Sequence, residues 1–350
     1  MCKYDSGSAE AVLQIGIKKL IKRKNMFKDK MIESSKADLE NLSQKTKNLL
    51  ENQVKEWELA KINYKGLESV KVREFLFDGF KVKVQFNSSR IISTSAKVDA
   101  KSINERKCFL CSQNLPSEQK GIGYREKYII LVNPFPIFPE HFTIPKIEHV
   151  PQRIKNSIGD ILDLSKDLKE RYIIFYNGPR CGASAPDHMH FQAGLKEFMP
   201  IDTEYDLLEK KLILKLKGTQ IFYSAHYLRN FISIEGSDKA EVLNAFLKIF
   251  DSIQLFDRSE EEPMMNVLAS FQNESWRVIV FPRNKHRPQQ YFEDGEKQIL
   301  LSPASVDFGG VCITPREEDF NKITKDDIVD IFNQVSVDKE KLEKIIAQIK

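Results

Sequence analysis

The sequence predicts an α+β protein in which helices pack on an antiparallel sheet and the arrangement occurs twice. Three observations lead to this class. Short runs rich in β-branched and aromatic residues recur along the chain and are separated by turn residues. A segment with helical periodicity interrupts these runs in each half. Finally, residues 1–75 contain no proline and carry apolar residues at helical spacing, which predicts extra N-terminal helices.

The first 72 residues are predicted to form an N-terminal helical extension. Leu13, Ile17 and Leu20 recur at helical spacing. The basic run 18–24 has two interpretations, a solvated helix face or a contact with RNA, and the solvated face is the usual one.

Two further regions are predicted, a catalytic half at 73–215 and a second half at 216–350 that ends in helices. The first half opens with a hairpin that turns at Asp78-Gly79. Its other strands are expected at 128–132, 141–144 and 172–176, with a helix over 154–168 that Pro151 introduces. In the second half we expect strands at 220–226, 231–234, 264–272 and 276–282, a helix around 240–249, and helices from about 325.

Composition narrows the class of function only slightly. The 350 residues carry 54 basic and 50 acidic side chains, a net charge of +4 that demands neither nucleic acid nor membrane and suits small anionic substrates. No stretch approaches the roughly 20 apolar residues that cross a bilayer. The five cysteines are an odd number and the N-terminus lacks the pattern of a signal peptide, so we expect a reduced, cytoplasmic protein.

Cys108-Phe109-Leu110-Cys111 is the first motif with chemical content. In a reducing compartment such a pair indicates half of a tetrahedral zinc site or a thioredoxin-type redox pair. The redox pair needs a helix N-terminus after a strand, whereas polar residues 101–107 precede this pair and loop residues 112–116 follow it. We therefore expect zinc, with His149 and His188 completing a closed, structural Cys2His2 shell.

The second motif is the run from His188 to Gln192, which is predicted to be a strand. Side chains alternate along a strand, so His188, His190 and Gln192 would share one face. With zinc on His188, His190 is the free imidazole, and its nitrogen can attack phosphorus and divide one hard displacement into two in-line steps. Gln192, Ser184 and the amides of loop 182–184 are predicted to bind the phosphoryl oxygens.

Together these motifs resemble the galactose-1-phosphate uridylyltransferase branch of the histidine-triad superfamily. That branch includes diadenosine tetraphosphate phosphorylases and GDP-hexose phosphorylases, and the likeness spans about residues 75–325. The resemblance implies a duplicated histidine-triad-like domain, zinc on Cys108, Cys111, His149 and His188, and a covalent nucleotidyl adduct on His190. The scarcity of histidines in the second half favours a phosphorylase over a uridylyltransferase.

The resemblance also implies nucleotide-binding residues. A loop asparagine of the family falls on Asn177, and its early Asn-x-x-Arg segment falls on Asn87 and Arg90. The segment that contains Arg283 and Lys285 is similar to GDP-hexose phosphorylases, and its cations would suit an anionic acceptor. Exposed cations at a strand end are the alternative interpretation.

The expected activity is transfer of a nucleoside monophosphate from a nucleotide sugar or dinucleoside polyphosphate to inorganic phosphate or a sugar phosphate. Two alternatives stay open, a hydrolase of the same substrates and a non-catalytic, zinc-stabilised module that binds nucleotide or RNA. We expect no interaction with a membrane, and the sequence does not favour binding to nucleic acid. A homodimer is compatible with the resemblance.

Overall fold

The computed structural model describes residues 31–33, 40–91, 99–257 and 262–350. The basic run 18–24 and the apolar positions 13–21 lie outside the described residues. The described helices are α1 (Leu42–Glu56), α2 (Glu58–Gly66), α3 (Ala100–Glu105), α4 (Ile158–Asp167), α5 (Pro200–Glu204), α6 (Lys239–Gln254), α7 (Ser305–Phe308), α8 (Glu317–Lys322), α9 (Lys325–Val335) and α10 (Lys339–Ile349).

Strands form two sheets in this part of the chain. They are β1 (Met31–Glu33), β2 (Lys71–Leu76), β3 (Lys81–Phe86), β4 (Gly121–Tyr124), β5 (Tyr128–Val132), β6 (His141–Pro145), β7 (Tyr172–Asn177), β8 (His190–Leu195), β9 (Lys211–Leu216), β10 (Thr219–Ser224), β11 (Phe231–Gly236), β12 (Met265–Gln272), β13 (Ser275–Pro282) and β14 (Val311–Thr314).

One sheet of 11 strands runs through both halves in the order β1-β4-β5-β6-β8-β7-β12-β13-β11-β10-β9. Strand β7 of the first half pairs antiparallel with β12 of the second, with Asn177 opposite Asn266. Every other pairing in this sheet is antiparallel except that of β1 with β4. The predicted α+β class with an antiparallel sheet is confirmed, and the two halves share one continuous sheet.

Both faces of the central strands are buried because helices or the second sheet cover them. Along β12, Val267 and Ala269 face one apolar cluster, which includes α4, α6 and α10. Leu268 between them faces another, which includes β3, β14 and α9. This alternation explains why these strands consist of nearly continuous apolar residues rather than alternating polar ones.

The second sheet has the order β14-β3-β2. The predicted hairpin is present: β2 and β3 turn at Asp78-Gly79, where Gly79 has φ +78 and the rings of Phe77 and Phe80 stack at 4.9 Å. Strand β14, from the C-terminal region, pairs parallel with β3. Periodicity did not predict this pairing, because it joins segments more than 200 residues apart.

Several predicted boundaries differ from the observed elements. Helix α4 begins at Ile158 rather than 154, since residues 155–157 form a turn. Position 215 lies inside β9, so a division between the halves before Lys211 fits the strands better. Helix α1 is not separate from the first half, because Leu49 and Leu50 pack into the same core cluster as Tyr128. No described helix is long and apolar enough to span a bilayer.

Candidate active site

Four predicted metal ligands converge at one end of the first half. Cys108, Cys111, His149 and His188 each offer a ligand atom, and these atoms lie within 4.8 Å of one another. Cys108 Sγ lies 3.3 Å from His188 Nδ1, and Cys111 Sγ lies 3.1 Å from His149 Nδ1. Two thiols and two imidazoles in this proximity are a donor set that can hold a metal ion.

Neighbouring groups orient the two imidazoles of this cluster. The Nε2–H of His188 donates to the Lys146 carbonyl at 2.7 Å, which leaves Nδ1 directed at the thiols. The Nε2 of His149 lies 3.8 Å from a carboxylate oxygen of Asp187, and Arg106 donates to the other oxygen at 2.6 Å. A carbonyl and a carboxylate behind ligand histidines are the usual outer contacts of a protein metal site. The sequence motifs did not reveal Arg106 or Asp187.

Strand β8 begins at His190, two residues later than predicted. His188 instead lies at the end of a turn in which its own N–H donates to the Ala185 carbonyl, and the Met189 N–H donates to the Val150 carbonyl. The reason is local: the turn lets His188 reach the thiols while His190 enters the sheet. His190 and Gln192 then line a common cavity.

His190 is buried at the start of β8, with 5% of its surface exposed. Its Nδ1–H donates to the His188 carbonyl at 2.8 Å, so the lone pair of the neutral ring is on Nε2. Gln152 holds the backbone on both sides: its Oε1 accepts from His190 N at 2.7 Å, and its Nε2 donates to His190 O at 3.0 Å. Burial lowers the pKa of His190, partly opposed by the His188 hydrogen bond. Gln152 carried no signal in the sequence.

Gln192 is oriented by a second buried histidine. The backbone N–H of Ile137 donates to His141 Nδ1 at 3.1 Å, so the ring proton is on Nε2, which donates to Gln192 Oε1 at 3.0 Å. The amide nitrogen of Gln192 is thereby left as the hydrogen-bond donor. Burial, and to a lesser extent Arg90, lower the pKa of His141 to about 3.

The cavity beside His190 has a volume of about 660 Å³. Both halves line it: Ser184, Asn177 and Arg90 come from the first, and His286 and Arg287 come from the second. The loop that carries Ser184 depends on a glycine. Gly182 has φ +98, and a Cβ there would lie 2.5 Å from the Cβ of Ala304.

Three of the predicted binding residues do not line this cavity. Asn87 is buried and donates to the Pro136 carbonyl. Arg283 is also buried, and its guanidinium donates to protein oxygens of Asn266, Pro303, Val335, Lys285 and His286. Lys285 is exposed. A role of these three side chains in binding therefore stays a prediction.

Two of the cavity-lining predictions also have structural contacts. Asn177 Oδ1 accepts from Asn266 Nδ2 and from the Ser305 N–H, each at 2.9 Å, and so connects the halves. Arg90 donates to the Phe135 carbonyl at 2.7 Å, and burial lowers its pKa to about 10.

Comparisons with known proteins agree with this architecture. Residues 49–195 match a domain of unknown function, DUF4922, and residues 206–350 match the GDPGP1-like C-terminal domain. No curated protein sequence gives a significant match. The structure of yeast Ap4A phosphorylase Apa2 in complex with Ap4A is similar, with a TM-score of 0.57 and 18% identity over 85% of this chain and 97% of that one. The same enzyme in complex with AMP gives a TM-score of 0.52 and 17% identity, over 83% and 97%.

The fold of this chain is thus similar to the histidine-triad-like fold of yeast Apa2, as the sequence predicted. Residues 206–350 match the GDPGP1-like domain and the whole fold is similar to that of an Ap4A phosphorylase, so the resemblance inferred from the motifs is confirmed.

Proposed function

We propose that this protein is a phosphorylase-type nucleotidyltransferase in which His190 is the nucleophile. The observation that carries the proposal is the hydrogen bond from His190 Nδ1 to the His188 carbonyl. It selects the tautomer whose lone pair is on Nε2, in a ring that lines a cavity of about 660 Å³. A buried imidazole with one nitrogen committed to the backbone has the other available for attack on phosphorus.

The reaction has two balanced steps. In the first, Nε2 attacks the α-phosphorus of the substrate; a P–N bond forms, and the bridging P–O bond breaks with its electron pair on the departing phosphate. In the second, an oxygen of inorganic phosphate attacks the same phosphorus, a P–O bond forms, and the P–N electron pair returns to Nε2. The products are a nucleoside diphosphate and the released phosphate ester.

Charge develops on the phosphoryl oxygens in both steps and needs donors. Gln192 can donate through its amide nitrogen, because His141 occupies its oxygen. Ser184 and the loop at Gly182 line the same cavity, as do Arg90, Arg106 and Arg287. Preorganised donors aimed at the phosphoryl oxygens are a major source of transition-state stabilisation.

Zinc is the metal that this donor set favours. Two thiolates and two neutral imidazoles make a closed tetrahedral shell, which stabilises structure and leaves no position for substrate. Cys108, Cys111, His149 and His188 would hold the ion. Only Met189 separates His188 from His190. A metal ion on His188 would therefore hold the backbone next to the nucleophile in place.

The substrate is a dinucleoside polyphosphate or a nucleotide sugar, and the acceptor is inorganic phosphate or a sugar phosphate. Support comes from the similar fold of an enzyme solved with Ap4A and with AMP, and from the GDPGP1-like domain. A cytoplasmic location is part of the proposal, because the odd number of cysteines in the sequence does not indicate a disulfide framework.

Incubation of the protein with Ap4A or a GDP-hexose tests the proposal, with and without phosphate. We expect phosphate-dependent turnover in the wild type and an acid-labile nucleotidyl adduct when phosphate is omitted. His190→Ala should lose both, while His226→Ala, outside this cavity, should keep them. Turnover without phosphate would instead identify a hydrolase, and no turnover with salt-sensitive RNA binding would identify a binding module.

A further inference from the structure

The predicted N-terminal extension reaches the cavity of His190. Trp57 and Leu59 line that cavity together with residues of the catalytic half. Trp57 occupies the single residue between α1 and α2, where the backbone becomes extended with φ −112 and ψ 106. Trp57 is 3% exposed, whereas Leu59 is 39% exposed. The break between α1 and α2 therefore places the side chains of Trp57 and Leu59 at the cavity of His190.

Both helices are anchored to segments that form the cavity. In α1, Gln53 donates to the Glu118 carbonyl at 3.1 Å and accepts from Lys120 N at 2.8 Å. In α2, Asn63 donates to the Pro134 carbonyl at 2.7 Å, and the Tyr64 hydroxyl donates to the His141 carbonyl at 2.9 Å. Residues 40–66 are thus connected to the loop before β6 and to the histidine that orients Gln192.

The lining of the cavity includes both polar and apolar side chains. His190, Gln192, Ser184 and the arginines supply polar and cationic groups that suit phosphates. Trp57 and Leu59 are among the apolar residues of this lining, which also include Phe109, Leu110, Leu115, Pro116, Leu131 and Phe135. A nucleotide has the same division, with a charged phosphate and a flat base whose faces are apolar. A hexose, by contrast, presents hydroxyl groups that need polar partners.

We propose that α1 and α2 are part of the substrate site and that Trp57 and Leu59 form a wall against which the nucleobase packs. This inference rests on the proposed function, because it takes the substrate to be a nucleotide. The wall determines affinity for the base and leaves the chemistry to His190.

Tryptophan fluorescence tests the wall without turnover, since the chain has two tryptophans. Trp276 is buried and donates to the Leu162 carbonyl, outside the cavity lining. We expect AMP or GMP to change the emission of the wild type and of Trp276→Phe, but not of Trp57→Phe. Ribose 5-phosphate, which lacks the base, should leave the emission unchanged. An equal response to ribose 5-phosphate, or a response that survives in Trp57→Phe, overturns the proposal.

Kinetics supply the second test. Leu59→Ala should raise KM for the nucleotide substrate about fivefold with kcat unchanged, because apolar contact area is lost. Ile62→Ala is the matched control, as Ile62 is 59% exposed on the same helix and does not line the cavity. If Leu59→Ala and Ile62→Ala turn over substrate with the same KM, the wall is refuted and the proposed function is not. A base-dependent fluorescence change without any phosphorolysis refutes the proposed function and leaves the wall standing.

Discussion

His141 and Gln192 are joined by a hydrogen bond of 3.0 Å between His141 Nε2 and Gln192 Oε1. The Ile137 N–H donates to the other ring nitrogen, so the direction of the bond is determined. The consequence is that Gln192 presents its amide nitrogen, a donor, to whatever binds beside His190. We therefore predict that His141 is a positioning residue that acts through Gln192.

His141→Phe keeps a ring of similar size and removes the donor. We expect kcat to fall about 10- to 100-fold with little change in KM, because an oriented donor to the transition state is lost. In a Gln192→Ala background the same substitution should have little further effect, which a double-mutant cycle measures. Because its pKa is about 3, His141 does not titrate between pH 5 and 9. The pH–rate profile of the variant should therefore keep every inflection that the wild type shows in this range. Additive losses would contradict a role through Gln192.

Removal of one thiol should release the metal and loosen the active site. Cys111→Ala is expected to abolish stoichiometric zinc, measured by elemental analysis, and to lower the melting temperature by about 5–10 °C. Formation of the His190 adduct should fall as well, since His188 is no longer held. Cys181→Ala is the control, because Cys181 is a buried cysteine outside the cluster. Full zinc content in Cys111→Ala would show that the four side chains are not the ligands.

Arg283 is expected to stabilise the second half through the hydrogen bonds of its buried guanidinium. Its five protein acceptors connect β12, the segment after β13, residue 303 and the end of α9. Arg283→Gln should lower the free energy of unfolding by about 3 kcal/mol or more, because buried acceptors lose a charged donor. The same substitution at the exposed Arg125, which pairs with Asp163 and Asp167, should cost less than about 1 kcal/mol. A rise in KM for phosphate without loss of stability would instead support the binding role that the resemblance implied.

Glu262 predicts a pH dependence of stability. Burial raises its pKa to about 7, although Tyr176 and the Ile154 N–H donate to it and partly oppose the shift. The folded state therefore holds a proton that the unfolded chain releases near pH 4.5. The contribution of Glu262 to the free energy of unfolding is complete below about pH 4.5 and is lost as the pH rises through about 7.

Urea unfolding of the wild type and of Glu262→Gln measures this contribution. The stability of the wild type relative to the variant should decrease by up to about 3 kcal/mol between pH 4.5 and pH 8. Glu274→Gln removes an exposed carboxylate that pairs with Lys169, and it should change stability by less than about 1 kcal/mol at both values. A constant difference between wild type and Glu262→Gln would exclude a raised pKa.

Spacing in the sequence was sufficient to find the groups whose chemistry is unusual. Two residues separate Cys108 from Cys111 and one residue separates His188 from His190, so each pair is visible as a local pattern. The hairpin at Gly79 was predicted for the same reason, because its turn and its alternation are both local. The ordinary residues that support these groups had no such pattern, and Gln152, His141 and Asp187 gained their importance from partners that are distant in the chain.

Local chemistry in the chain thus established the class of fold, the thiol and imidazole pairs, and the candidate nucleophile. Folding established which tautomer His190 adopts, which way Gln192 points, and that Arg283 is buried among carbonyls while Trp57 reaches the cavity. The physical reason is that hydrogen-bond direction and burial depend on packing between distant segments, whereas the reactivity of a thiol or an imidazole belongs to the residue itself.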